Sequence, residues 1–144
     1  LETTFAGIVN RCKREGEPLA LLMIVTDYFK RYNDAYGHMA GDQVLVAVAR
    51  VINQYFQTNS HACGYGGDEF VVVLPHIDAP EATEIAEHIC CSIRETIPHA
   101  GDTRVSVSIG VASLEPGMHG RQLLASADAA LYRAKAAGRD RISR

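Results

Sequence analysis

The sequence predicts an α/β (α+β) domain, a mixed central sheet flanked by helices. Three observations carry that expectation. Residues 19–26, Leu-Ala-Leu-Leu-Met-Ile-Val-Thr, form a continuous apolar run, which suits a strand buried on both faces. Residues 61–75 hold two strand-like runs joined at Gly66-Gly67. Apolar residues at helical spacing recur before, between and after these strands.

In order, residues 2–15 read as the end of a helix, broken by Gly16-Glu17-Pro18. After the apolar strand, a short helical turn starts at Tyr28. A longer helix follows over about 40–56, where Val44, Leu45, Val48, Ile52 and Phe56 share a face. Strands over 61–65 and 69–75 meet in a tight hairpin at Gly66-Gly67, because both turn positions tolerate positive φ. The next helix covers about 80–97, with Ile85, Ile89, Ile93 and Ile97 in one row, and Pro98 ends it. Residues 103–111 alternate, with Val105, Val107, Ile109 and Val111 on one side and Ser106 and Ser108 on the other. A last helix over about 121–137 turns Leu123, Leu124, Ala127, Leu131 and Ala134 inward, with Gly138 at its C-terminal end. A short strand closes the order α-β-α-α-β-β-α-β-α-β.

A chain of 144 residues without a Pro/Gly/Ser-rich linker or internal repeat reads as one domain. Its opening at Leu1 rather than Met reads as a piece cut from a longer protein. With 14 basic and 17 acidic residues the net charge is −3, so no basic face argues for nucleic acid and no acidic tract for a solvated tail. No apolar run reaches the roughly 18 residues of a membrane helix, and no secretory signal opens the chain. The expected location is cytoplasmic, including the cytoplasmic part of a membrane-attached sensor. Cys12, Cys63, Cys90 and Cys91 make no CxxC pair or zinc pattern. They read as reduced thiols, with Cys90 and Cys91 as small core residues of a helix.

Three clusters could do chemistry. Asp68 and Glu69 follow the hairpin glycines at a sheet rim, and Asp27, ending the buried strand, is expected at a rim as well. Carboxylates gathered there repel unless a cation lies among them, and Mg2+ prefers one or two carboxylates plus phosphate oxygens. A hairpin with polar flanks is the plainer alternative. Second, the run from Asp27 to Asp42 carries a strand end into a helical turn, whose free N–H groups can receive phosphate. Asn33 and Asp42 could read a guanine edge; taken singly, they read better as a turn residue and a first-turn helix charge. Third, Lys135 and Arg139 lie four apart at a helix end, where they either complement the dipole or clamp a triphosphate.

Taken together, Phe29-Lys30, Asn33-Asp34, Gly37-His38, Gly41-Asp42, Tyr65 to Phe70, Ser108 to Ala112, and Ala130 to Lys135 with Gly138-Arg139 resemble the GGDEF domain of bacterial diguanylate cyclases, in the same order over nearly the whole chain. The resemblance implies a fold similar to the palm of polymerases and adenylyl cyclases. It implies condensation of two GTP into cyclic di-GMP by two domains facing each other in a homodimer, whether lasting or transient, with Mg2+ (or Mn2+). It places Asn33 and Asp42 on guanine, with His38 near the nucleoside. Tyr28 and Phe29 N–H groups with Lys30 would hold phosphates, and Lys135 and Arg139 the triphosphate tail. Asp68 and Glu69 become the catalytic pair, and they hold the metal with the Thr26 carbonyl. An upstream sensor domain is implied as a partner.

The sequence departs from the family pattern in three places. Val25 stands where the family carries a metal-binding Asp, and Asp27 cannot replace it, because strand residues two apart lie roughly 6–7 Å apart. Gln57 and Ser60 stand where an Arg-x-x-Asp pair binds product, and Gly64 replaces a common Arg, so no product-inhibition site is expected. The Asp-x-Leu-Thr-x-Leu-x-Asn-Arg run that leads into such domains is absent. Two functions follow: an active diguanylate cyclase, or a catalytically degenerate module that binds GTP or a protein partner in a regulatory role.

Overall fold

The structure is a computed structural model that describes residues 4–55, 61–64, 67–97 and 104–144, the segment 61–64 by its backbone alone. Among the described residues the elements are, in order, α1 (Phe5–Glu15), β1 (Leu19–Thr26), α2 (Phe29–Tyr36), α3 (His38–Asn53), β2 (His61–Gly64), β3 (Glu69–Pro75), α4 (Ala79–Thr96), β4 (Val107–Ser113), α5 (Gly120–Ala136) and β5 (Arg141–Ser143). The five strands make one sheet in the order β2-β3-β1-β4-β5. β1 runs antiparallel to both β3 and β4, while β5 runs parallel to β4, so the sheet is mixed as expected.

Every residue of β1 is buried, because helices cover both faces of the sheet. On one face Leu22, Ile24, Val72 and Ile109 pack against Val48 and Ile52 of α3 and Ile89 and Ile93 of α4. On the other, Leu21, Met23, Val25 and Val71 pack against Ile8 and Val9 of α1 and Leu123, Ala127 and Leu131 of α5. Burying aliphatic side chains on two faces is the main stabilising contribution, at roughly 1.5–3 kcal/mol each. Helix ends are capped: Thr4 Oγ1 accepts from Gly7 N–H, Asp78 Oδ1 from Glu81 N–H, and His119 with Gln122 forms a reciprocal box.

Two expectations shift. The strand expected over 103–111 is observed as Val107–Ser113. β1 ends at Thr26, opposite Val107, where the register between the two strands ends, while Ala20 still pairs with Ser113. Cys90 is a core residue, its thiol pushed up to about 11 by burial and by the nearby Asp140 carboxylate, but Cys91 is exposed, one helical step off the buried stripe. Phe56, Gln57, Ser60, Tyr65, Gly66 and Pro98 lie outside the described residues. The last described pair of the hairpin is Gly64 opposite Phe70.

The contact that sets α5 against the sheet is at Gly110. A Cβ there would drive into the Ala127 carbonyl oxygen and the Leu131 N–H, and would lie 2.9 Å from Leu131 Cα. These are backbone atoms in a fixed helix and cannot step aside. Gly110→Ala is therefore expected to cost about 3 kcal/mol, the upper part of the overpacking range, as read by urea unfolding of the purified chain. An unchanged midpoint would show that α5 is free to shift outward.

Candidate functional site

One rim of the sheet collects the C-terminal end of β1 and the N-terminal ends of β3, β4 and β5. Val25 pairs with Glu69 on one side and Ser108 on the other, and Ser108 pairs with Arg141 of β5. Thr26 N–H donates to the Asp68 carbonyl at 3.1 Å, stitching the segment before β3 to the end of β1. Asp68, Glu69, Thr26, Tyr28, Phe29 and the Arg139 turn thus share this rim.

Asp27 does not join the other carboxylates. It is buried, accepting from Ser108 Oγ at 2.6 Å, Ser106 Oγ at 2.7 Å and Asp140 N–H at 3.0 Å, while its own N–H donates to the Ser106 carbonyl. These partners lie on β4 and the turn before β5, on the opposite side of β1 from β3. The expected grouping of Asp27 with Asp68 and Glu69 is therefore corrected: three donors hold Asp27 as a structural carboxylate.

Val25 is buried in the apolar layer beneath α5, directly opposite Glu69. The Glu69 carboxyl is raised above its usual range, first by burial and next by the Asp68 and Asp128 carboxylates, against the lowering effect of Lys135. Asp128 was not singled out from sequence. Its signal was available: it lies seven residues before Lys135, two helical turns away on the same face of α5. Among the described residues no group of three His, Cys, Asp or Glu side chains could hold a metal ion. The donor set is thus two adjacent carboxylates, which fits a cation that brings phosphate oxygens with it and does not amount to a complete protein cage.

Tyr28 has φ 56° and starts α2 without a side-chain cap. The first-turn N–H groups of α2 are therefore free of a side-chain acceptor, at the positive end of the helix dipole. Lys30 in this turn is exposed. Asn33 packs on Gly41, where a Cβ would land on its Oδ1 and lie 3.2 Å from Phe29 Cζ. That oxygen is buried without a hydrogen-bond partner among the described residues. His38 and Asp42 are exposed near the start of α3. A cavity of about 400 Å3 opens between the end of β1 and α2, lined in part by Thr26, Asp27, Tyr28, Phe29, Tyr32 and Arg104.

At the far wall, α5 ends in Gly138 (φ 123°), Arg139 (φ 64°) and Asp140 (φ 49°). The Arg139 guanidinium lies 4.7 Å from the centre of the Tyr28 ring, and the Arg31 guanidinium 4.6 Å from it. Arg139 thus reaches the start of α2, and Lys135 is close enough to Glu69 for its charge to lower that carboxyl's pKa, so one helix end faces both the α2 turn and the acidic pair.

The rim of this mixed α/β domain thus opposes two carboxylates to an uncapped helix start and two cations. Residues 1–141 match the family described as "Diguanylate cyclase, GGDEF domain", and the chain belongs to that family. It is 39% identical over 138 residues to Diguanylate cyclase A of Treponema denticola, covering 94% of this chain and 37% of that protein. The GGDEF domain of DgcB from Caulobacter crescentus, solved in complex with c-di-GMP, superposes with TM-score 0.91 at 31% identity, covering 96% of this chain and 82% of that one. The active GGEEF domain of a Vibrio cholerae diguanylate cyclase also superposes with TM-score 0.91 at 31% identity, over 96% and 90% of the two chains. The chain spans about a third of the length of the curated relatives it matches, 37% and 32% for the first two. Among the described residues no helix is long and apolar enough to cross a membrane.

The Glu69 environment has a pH signature. Its folded state holds the proton more tightly than the unfolded chain, so stability falls as pH rises from the usual carboxylate value of about 4.3 through the raised folded value. Glu69→Gln removes that loss. In chelator, the variant is expected to melt above wild type at pH 7, with the gap closing towards pH 4. A gap independent of pH would show that Glu69 is not strained by burial.

Proposed function

We propose that this protein is a GTP-binding domain with diguanylate cyclase chemistry, condensing two GTP into cyclic di-GMP across two facing copies, with turnover held down by Val25. One observation carries the reading: the rim opposes the Asp68–Glu69 carboxylates to the uncapped start of α2 and to Lys135 and Arg139. That arrangement supports a polyphosphate lying between cations, backbone N–H groups and an acidic pair.

In this reading Asn33 and Asp42 take the guanine, with His38 beside the nucleoside. The Tyr28–Phe29 backbone and Lys30 hold the phosphates nearest α2, and Lys135 and Arg139 hold the tail, whose departure as pyrophosphate they favour by offsetting its charge. Asp68 accepts the proton of the attacking 3′-hydroxyl. Asp68, Glu69 and the Thr26 carbonyl would hold Mg2+ (or Mn2+), which when bound offsets charge on the transferring phosphoryl oxygens. GTP is the substrate, a second GGDEF domain the reaction partner, and an upstream sensor domain the source of control.

Val25 favours the second reading, a GTP-binding module with little or no turnover. Its side chain fills an apolar layer where a third carboxylate would otherwise face Glu69. Losing one charge-assisted ligand lowers the rate by roughly a thousandfold.

Incubation of the protein with GTP and Mg2+, with chromatography of the products, tests both. Slow cyclic di-GMP formation, lost in Asp68→Ala, is expected. Val25→Asp should raise turnover by about a thousandfold if the missing carboxylate is the lesion. The same variant buries an unpaired charge, so its melting temperature should fall in chelator and recover with Mg2+. No product from either protein, with GTP still binding in calorimetry, would leave the regulatory module standing; no GTP binding would end the proposal.

A further inference from the structure

We propose that Arg94 and Asp140 are positioning residues for Arg139, holding its guanidinium where a triphosphate tail can be taken; the inference rests on the GTP reading above. Arg139 and Asp140 are consecutive non-glycine residues in the left-handed region, at φ 64° and 49°. Such a pair persists only when its surroundings over-determine it. Here the surroundings are specific. Asp140 N–H donates to Asp27 Oδ2 at 3.0 Å. Arg94 Nε donates to both Asp140 carboxylate oxygens at 3.1 Å, Arg94 Nη2 lies 3.0 Å from Oδ1, and the same nitrogen donates to the Asp140 carbonyl at 3.4 Å. Arg139 N–H closes the end of α5 on the Ala134 carbonyl at 3.0 Å.

The turn is thus gripped at Asp140 by Asp27, just beyond β1, and by Arg94 of α4, immediately after the residue that carries the phosphate-facing cation. Arg139 has two backbone neighbours pinned and a side chain lying over the Tyr28 ring. Releasing Arg94 frees the Asp140 carboxylate and lets the two left-handed residues relax, which redirects Arg139. Arg94 and Asp140 are about one-third exposed, 34% and 36%, so the ion pair itself adds little to global stability. A forked, planar contact fixes direction, and here it acts on the direction of Arg139.

Calorimetric titration separates this from a merely structural role. GTP and guanosine are titrated into wild type, Arg94→Met, Arg139→Ala and the double variant in Mg2+ buffer. Arg94→Met is expected to weaken GTP binding by about tenfold, as much as Arg139→Ala, with guanosine binding unchanged and the melting point near wild type. The double variant should lose no more than either single, because both changes remove the same contact. Arg94→Lys, which keeps the charge but not the fork, should recover part of the loss. If Arg94→Met does not fold, Asp140→Asn carries the same test, since it keeps the N–H bond to Asp27. GTP binding equal to wild type in Arg94→Met beside a weakened Arg139→Ala overturns the positioning role and leaves the GTP reading intact. Additive losses, or equal loss of GTP and guanosine, overturn it as well. Failure of wild type to bind GTP removes both.

Discussion

The rim of this domain depends on one buried carboxylate. Asp27 leaves water at a desolvation cost of several kcal/mol, and the three donors it meets come from three different places: Ser106 just before β4, Ser108 within it, and the backbone N–H of Asp140 beyond α5. β1 supplies the acceptor, β4 two donors, and the α5–β5 turn the third. Without the carboxylate one buried hydroxyl, one half-buried hydroxyl and an N–H lose their partner together. Without any one donor the remaining charge is under-satisfied. The position of the Arg139 turn relative to the end of β1 follows from this node.

That node also explains why the acidic side of the site is sparse. β1 sends successive side chains to opposite faces, so Val25 and Asp27 share a face while Thr26 points to the other. Val25 sits among Met23, Val71, Ala127 and Leu131, and Asp27, one step further, turns to the serines of β4. Glu69, across from Val25, has as charged neighbours Asp68, Asp128 and Lys135. The strand therefore offers two positions on the right face, of which one is filled by hydrocarbon and the other is already bonded. In the proposed reading a cation at this rim would rely on Asp68, Glu69, the Thr26 carbonyl and the oxygens its ligand brings.

Much of the fold was legible in the sequence because its signals are local. The all-apolar β1, the isoleucine row of α4 and the glycine break after α1 each report a burial pattern or a backbone conformation within a few residues. The order of elements follows from them. Where β4 begins was not legible, since the strand starts where its partner stops, and only the pairing of Thr26 with Val107 reveals that. The same limit applies to Cys91, whose exposure depends on how α4 is rotated against the sheet. The candidate site residues were named as a set from spacing and resemblance, and the structure brings Thr26, Tyr28, Phe29, Asp68 and Glu69 to one rim. The fate of Asp27 was not: its partners lie 79 to 113 residues away in sequence, and nothing in the local run Val25-Thr26-Asp27-Tyr28 distinguishes a carboxylate facing a ligand from one facing two serines.

Strain is distributed unevenly, and its distribution is informative. Among the described residues four non-glycine residues have positive φ, and Tyr28, Arg139 and Asp140 are three of them, all at the rim. Each costs of order 1–3 kcal/mol and is retained because the surrounding bonds over-determine it. Tyr28 in this conformation begins α2 abruptly and leaves its first N–H groups uncapped, while Arg139 and Asp140 swing a guanidinium back over the Tyr28 ring. Relaxing any of them would stabilise the chain locally and dissolve the opposition between α2 and the end of α5. The apolar layers on both faces of the sheet carry that cost. This accounts for a rim built from strained and unpaired groups on a sheet whose central strand is entirely buried.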